Sequence, residues 1–307
     1  MTTLAPAFGL SPAAVRRAVQ ERVLELFGPG DGEQPIASGA FVDAGLFGPD
    51  AVCWRVHGDL GGMLAGGIAA LLLQMLHPRA LAGVWDHSDF RSDRLGRLRR
   101  TARFVSAITY GSRDEAMAQI ERVRRIHDRV HGTTPGGAAY SAHDPELLTW
   151  VHVAESVSFL DAYLIYGPKR LSLTEQDRYF AETAVTAEAL GARDVPKSRA
   201  ANAAYLEAMR SELRYDQRTR EAAKVLLTTD DLKPSVASVT RLIYAAAKDL
   251  LPPWAATLHG FRPALIPRPA ARLAMKNLSA GLRWALPGGV ETRARRRAAE
   301  AGLRDSA

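Results

Sequence analysis

The sequence predicts one large all-α domain. Apolar residues recur at helical spacing along most of the chain, no long β-branched alternation competes with them, and the breaks carry helix caps and stops rather than linkers. At about 150 residues per domain, the 307 residues allow one large domain or two small ones. No Ser/Gly-rich linker or fixed-period repeat divides them, so a single domain over residues 1–307 is expected, with a basic helix and tail at about 288–307.

The first periodic run is Pro12–Phe27, followed by an irregular stretch, Gly28–Asp50. Leu60–Leu76 is uncharged and holds Gly61, Gly62, Gly66 and Gly67. It falls short of the ~20 residues a membrane span needs, which predicts a helix buried on all sides. Helices are next expected at Ser92–Tyr110 and Arg113–Val130, with Gly111-Ser112 ending one and capping the other, and then a loop of helix breakers at Gly132–Gly137. Asp144-Pro145 places an N-cap before a proline, starting Pro145–Tyr166. Thr174 with Asp177 reads as a capping box for Glu175–Leu190. Arg199–Leu213, Thr219–Leu227 and Ser235–Leu250 follow, stopped by Leu251-Pro252-Pro253. After an irregular Thr257–Pro269 come Ala270–Trp284 and Glu291–Leu303.

Composition narrows the chemistry. Forty Lys and Arg against 33 Asp and Glu give a net charge of +7, but only six of the forty are Lys, a bias that a GC-rich genome explains as well as a partner does. Arg293, Arg295, Arg296 and Arg297 could meet an anionic surface, and a solvated helix face is the plainer reading. Lone Cys53 permits no internal disulfide, no thiolate zinc site and no covalent haem attachment, so a metal must be held by His, Asp or Glu. The start, Met1-Thr-Thr-Leu-Ala-Pro6, has no basic segment leading into an apolar run, and a cytoplasmic protein is expected. Phosphate loops, dinucleotide fingerprints and the Gly-x-Ser-x-Gly elbow are absent.

On Arg113–Val130 the apolar stripe runs Ala116, Ile120, Val123, His127 and Val130. His127 therefore sits in a core-facing seam, either as a satisfied core residue or as a ligand. His131 at i+4 could share a zinc ion with it, but Asp128 replaces the Glu of the zinc-hydrolase pattern and no third ligand follows. The preceding helix points Leu95, Leu98, Val105 and Ile108 inward, with Arg97 and Thr101 one turn apart beside them. Arg97 could neutralise a carboxylate or phosphate or form a surface salt bridge, and Thr101 could face a pocket or bond back to its own helix. His77, before Pro78, reads as a helix C-cap or a pocket residue, His143 as a loop residue and His152 as core.

Several separated blocks share an order. Leu72-Leu-Gln-Met-Leu-His77-Pro78, Arg97-x-x-x-Thr101, Tyr110-Gly111, Val123-Arg-Arg-Ile-His127-Asp-Arg-Val-His-Gly132, the run Tyr140 to His152 and Val195-Pro196 resemble the MpaB-type oxygenase family, which includes the rubber oxygenase latex-clearing protein. The resemblance covers roughly residues 61–196, with helices to about residue 251 in plausible order. It implies a globin-like helical core around a buried, non-covalent haem b, with iron as the metal. The family's axial histidine lies in an Arg-x-x-His block, matched by Arg124-Arg-Ile-His127, so His127 would be the proximal ligand and Arg124 a cofactor contact. The family's Arg and Thr near the haem match Arg97 and Thr101, and His77 and Asp86 become candidate distal polar groups.

The chain also departs from the family's pattern. A Lys that can close off the iron in the rubber-cleaving member is replaced by Arg100, which stays protonated. No Glu matches that enzyme's base. The resulting expectation is a haem-dependent mono- or dioxygenase, an oxidoreductase using dioxygen on an apolar, isoprenoid or lipid-like small molecule other than rubber. A non-catalytic haem or ligand carrier or sensor is the alternative, and a helical nucleic-acid or membrane-surface binder the third reading. Neither nucleic acid nor a transmembrane span is expected under the first, and peripheral membrane contact is compatible with it.

Overall fold

The computed structural model describes residues 11–27, 43–230, 232–261, 267–287 and 290–300. Among them are fourteen α-helices and one two-stranded ladder. The order is α1 (Pro12–Phe27), α2 (Val52–Gly58), α3 (Leu60–Gln74), α4 (Pro78–His87), α5 (Arg94–Tyr110), α6 (Arg113–His127), β1 (His131–Thr133), β2 (Ala139–Ser141), α7 (Pro145–Tyr166) and α8 (Leu173–Leu190). There follow α9 (Arg199–Met209), a 3-10 turn at Arg210–Glu212, α10 (Gln217–Leu227), α11 (Pro234–Leu250), α12 (Pro253–Leu258), α13 (Arg268–Ala285) and α14 (Val290–Glu300). The architecture is all-α, as the periodicity predicts.

The uncharged run forms α3, which packs along α7 at the centre of the molecule. Gly61, Gly62, Ala65 and Gly66 are buried on one part of its surface, and Ile68, Leu72 and Leu73 on the rest. Small residues let the two backbones approach: a Cβ on Gly66 would lie 2.8 Å from the Ser158 carbonyl oxygen of α7. Around this pair, α9, α10 and α11 close one apolar cluster through Leu206, Leu226 and Tyr244. A second cluster joins α2, α5, α7 and α8 through Trp54, Val105, Phe159 and Tyr179. No single described helix is long and apolar enough to cross a membrane.

Capping explains several element starts that periodicity alone misplaces. Ser172 and Glu175, rather than Thr174 and Asp177, form the capping box of α8, because the Ser172 hydroxyl accepts from the Glu175 N–H while the Glu175 carboxylate accepts from the Ser172 N–H. Pro78 begins a helix. It occupies the first turn of α4, where a proline lacks nothing the helix needs, and His77 is the N-cap residue of α4 instead of a C-cap. Pro253 starts α12 in the same way. The expected loop of breakers is a hairpin, with Gly132 opposite Tyr140, because Thr134, Gly136 and Gly137 supply the turn between two short strands.

Two segments expected to be irregular fall partly outside the described residues, at positions 28–42 and 262–266. Part of the basic tail, at 288–289 and 301–307, also lies outside them, as do the side chains of Arg293 and Arg297. In α14, Arg295 is engaged internally: its Nε donates to Glu291 at 3.0 Å, its Nη1 donates to the Pro49 carbonyl and its guanidinium lies 5.6 Å from the Trp54 ring.

Candidate active site

The α5–α6 hairpin positions the two leading residues. Gly111 closes α5 by donating to Ala107 O, and Ser112 opens α6 with a complete capping box, so the helices run back along each other. Arg97, in the first turn of α5, and His127, the last residue of α6, therefore both lie at the hairpin's open end. There α4 and the β ladder close over them: Arg97 Nη1 donates to Ser88 Oγ at 3.2 Å, and Val130 touches the position of Gly83.

His127 continues the stripe of buried Ala116 and Ile120 but is itself half-buried. Its Nδ1 is buried, and its ring makes no hydrogen bond among the described residues. Burial lowers its pKa, the neighbouring His143 adds to this and Asp128 partly opposes it, so the imidazole is neutral at physiological pH. The His143 ring stands edge-on to it at 6.0 Å, and His143 Nε2 lies 2.7 Å from Asp128 Oδ1. An unbonded, neutral imidazole is a lone-pair donor without an acceptor.

Arg97 is half-buried and has no carboxylate partner among the described residues. Burial, and then Arg100, lower its pKa, the signature of a cation held where an anion is missing. Arg100 is turned outward to Asp93 at 2.9 Å, and Thr101 is exposed and makes no hydrogen bond among the described residues. Arg124 is not gathered with these residues: its Nη1 donates to Ala189 O at 3.2 Å, tying α6 to the last turn of α8.

His77 is buried against Trp150, with ring centroids 6.1 Å apart and an orphaned Nδ1. Burial and Arg79 push its pKa down to about 4. Asp86 accepts from the Tyr140 hydroxyl at 2.6 Å, and His87 Nε2 lies 3.2 Å from that same hydroxyl. These contacts hold the ladder against α4.

His152, read from the sequence as core, has a polar neighbour in Glu155 that went unread there. His152 and Glu155 lie on one face of α7 between Leu148 and Phe159, and only their spacing of three within an otherwise apolar helix could have marked them. Glu155 has no hydrogen bond or ion-pair partner among the described residues, and burial pushes its carboxyl up to about 7. His152 Nε2 is orphaned, and burial lowers that ring to about 4. His57 of α2 stands nearby with both nitrogens engaged, Nδ1 at 2.8 Å from Thr109 Oγ1 and Nε2 at 3.1 Å from the Tyr179 hydroxyl. Among the described residues no three His, Cys, Asp or Glu side chains are grouped to hold a bare metal ion.

Comparison with known proteins finds a family that covers this region. The family model described as ER-bound oxygenase mpaB/B′ and rubber oxygenase, catalytic domain, matches residues 54–284, from α2 to the last turn of α13. No curated protein and no solved structure matches the chain. The matched region contains the α5–α6 hairpin, the ladder and the buried α3–α7 pair, and the chain belongs to the MpaB/rubber-oxygenase catalytic-domain family of oxygenases.

Proposed function

We propose that this oxygenase depends on haem b and oxidises an apolar, isoprenoid or lipid-like small molecule with dioxygen, His127 being the protein's ligand to the iron. The observation that carries the reading is the unbonded, neutral His127 ring with its buried Nδ1, at the same open end as Arg97, which has no carboxylate partner among the described residues.

The residues present fit such a group. Iron already held by four porphyrin nitrogens needs a single imidazole from the protein, which suits a region without clustered metal-binding side chains. Porphyrin propionates need cations, and Arg97 is a desolvated guanidinium with only a serine hydroxyl as partner. Arg124 and His77 fit less well, because the first is committed to α8 and the second is packed beneath the α3–α4 corner. When bound, haem would supply dioxygen activation.

The chain's own part is placement. His127 stays neutral because the apolar seam disfavours its protonated form, which keeps its lone pair available. Arg97 balances negative charge at the mouth, and Thr101, one turn further along α5, offers a hydroxyl from the same helix. Arg100 remains a cation paired with Asp93 and leaves that space free of a competing ligand.

The test is the absorption spectrum of protein purified from haem-replete cells. A Soret band that disappears in His127→Ala and persists in His77→Ala supports the assignment. A band unchanged in His127→Ala, or no band at all, overturns it. Oxygen uptake with an alkene substrate then separates an enzyme from a carrier.

A further inference from the structure

On its inner side α13 buries Met275 and leans Leu278 against Ala65, Ala162 and Tyr166 of α3 and α7. Its outer side is bare and apolar: Leu273 is 60% and Trp284 44% exposed. These two lie about three helical turns apart and so point the same way, with exposed Ala274, Ala280 and Gly281 between them along the helix. A Cβ on Gly281 would meet nothing within 4 Å, so no described residue covers that stretch. Apolar residues scattered singly over a surface need no explanation, but a leucine and a tryptophan aligned along a cationic helix do.

All four charged residues of α13 are cations, Arg268, Arg272, Lys276 and Arg283. Arg268 and Arg272 share Asp249, and Arg283 takes Asp59. Lys276, beside the apolar side, is exposed and has no ion-pair partner among the described residues. At the far end, the Arg16 guanidinium of α1 lies 4.7 Å from the centre of the Trp284 ring, also without a carboxylate among the described residues. Gln20 Nε2 holds α1 there by donating to Ala285 O at 2.8 Å. An apolar side chain that can enter hydrocarbon, a tryptophan suited to the headgroup boundary and flanking cations are the parts of a helix that lies in a bilayer interface. A second copy of the chain fits this face badly, because facing one α13 with another sets cations against cations with no acid on either helix to answer them. Acidic headgroups over acyl chains supply both the anions and the apolar layer. We propose that the outer face of α13, with Arg16 beside it, docks on the surface of an anionic bilayer, Leu273 and Trp284 entering the headgroup boundary. This docking does not depend on the haem reading.

The test is co-sedimentation of the full-length protein with vesicles of phosphatidylcholine alone and of phosphatidylcholine mixed with phosphatidylserine. Binding to the mixed vesicles is expected to be at least about tenfold tighter and to weaken as salt is raised. Leu273→Glu should lower it by about tenfold or more. Leu173→Glu, at a leucine 74% exposed on α8, makes the same charge change elsewhere and should leave binding within about twofold. Both leucines are exposed, so neither change should lower the melting temperature. Tryptophan emission should shift to the blue on the mixed vesicles, and Trp284→Phe should remove the shift while the protein still sediments with them. No binding to the mixed vesicles, equal binding to the two kinds, equal loss in the two leucine variants, or a blue shift that survives Trp284→Phe overturns the proposal. So does a dimer in solution that Leu273→Glu splits while vesicle binding is unchanged.

Discussion

Arg283 Nη1 of α13 donates to Asp59 Oδ1 at 2.5 Å, and the Asp59 side chain is 2% exposed. The same carboxylate accepts from Gly62 N at 3.1 Å, so one group caps α3, sits at the 89° bend between α2 and α3, and pins α13 to that corner. Burial nevertheless leaves the Asp59 pKa raised, outweighing the guanidinium, so the pair is retained against a desolvation cost. Arg283→Ala is expected to destabilise by about 3–5 kcal/mol because it leaves the carboxylate buried alone. Urea unfolding checks this, and a loss below about 1 kcal/mol would show that water replaces the guanidinium.

Gly66 marks a close approach between α3 and α7. A Cβ there would meet the Ser158 carbonyl at 2.8 Å and Phe159 Cδ1 at 3.0 Å, and the first of these is backbone that cannot swing aside. Gly66→Ala should cost about 1–3 kcal/mol, as overpacking a close-packed core does. Gly67→Ala, whose Cβ would meet only Phe159 Cε1 at 3.7 Å, should be neutral or slightly stabilising by helix propensity.

The buried titratable groups set opposite pH trends. His57, at about 3, and His77 and His152, at about 4, are depressed from 6.5, chiefly by burial. The unfolded chain therefore takes up their protons first, and the stability they contribute is present above pH 6.5 and lost as pH falls toward 4. Glu155, raised from 4.5 to about 7, does the reverse: the folded state holds its proton longer, and stability falls as pH rises from 4.5 through 7. Three histidines outweigh one carboxyl, so Tm is expected to rise from pH 5 through 7 and then level off. Thermal melts of Glu155→Gln should show a steeper rise, because the opposing group has been removed.

The α8 start separates two candidate caps. Ser172→Ala removes the hydroxyl bonded to the Glu175 N–H at 3.2 Å and should cost about 1 kcal/mol. Thr174→Ala should change stability by less than about 0.5 kcal/mol, as an exposed surface change. Equal effects in chemical denaturation would contradict the capping geometry.

Removing Arg97 should have two opposite effects. In Arg97→Leu the haem-free protein should melt at a higher temperature, because a desolvated cation without a carboxylate has been removed. Under the haem proposal, the bound group should leave the variant about tenfold faster, equivalent to about 1.4 kcal/mol, when transfer to apomyoglobin is followed. A faster loss with a lowered melting temperature would mean that Arg97 is structural.

Most of the helical architecture was legible because it is written in short-range chemistry. Apolar spacing located α3, α5, α6 and α7, and Gly111-Ser112 and Asp144-Pro145 marked their ends. The short helices α2, α4 and α12 were not legible, since six to ten residues carry too few turns for a periodic signal and a proline reads as a stop as readily as a start. The hairpin was missed for a related reason: strands of three residues are held by pairing between Gly132 and Tyr140, and pairing leaves no pattern in either strand alone. In the candidate site, His127 stood out as a histidine on an apolar stripe. His152 read only as core and Glu155 did not stand out at all, because a polar residue on a buried helix becomes informative only once its partners, or their absence, are known.

What could be read from order and spacing was the helix class, the seam carrying His127 and the Arg97–Thr101 step beside it. These follow from helical geometry, which repeats every few residues and needs no knowledge of neighbours. Desolvation was not readable in this way. Whether Arg97 meets a carboxylate, whether Arg124 turns to α8, and whether Glu155 is left alone inside the cluster depend on which distant segments fold against them. Burial and unmet hydrogen bonds are properties of that assembled surface, and they set the charge state and the ligand chemistry of each of these side chains.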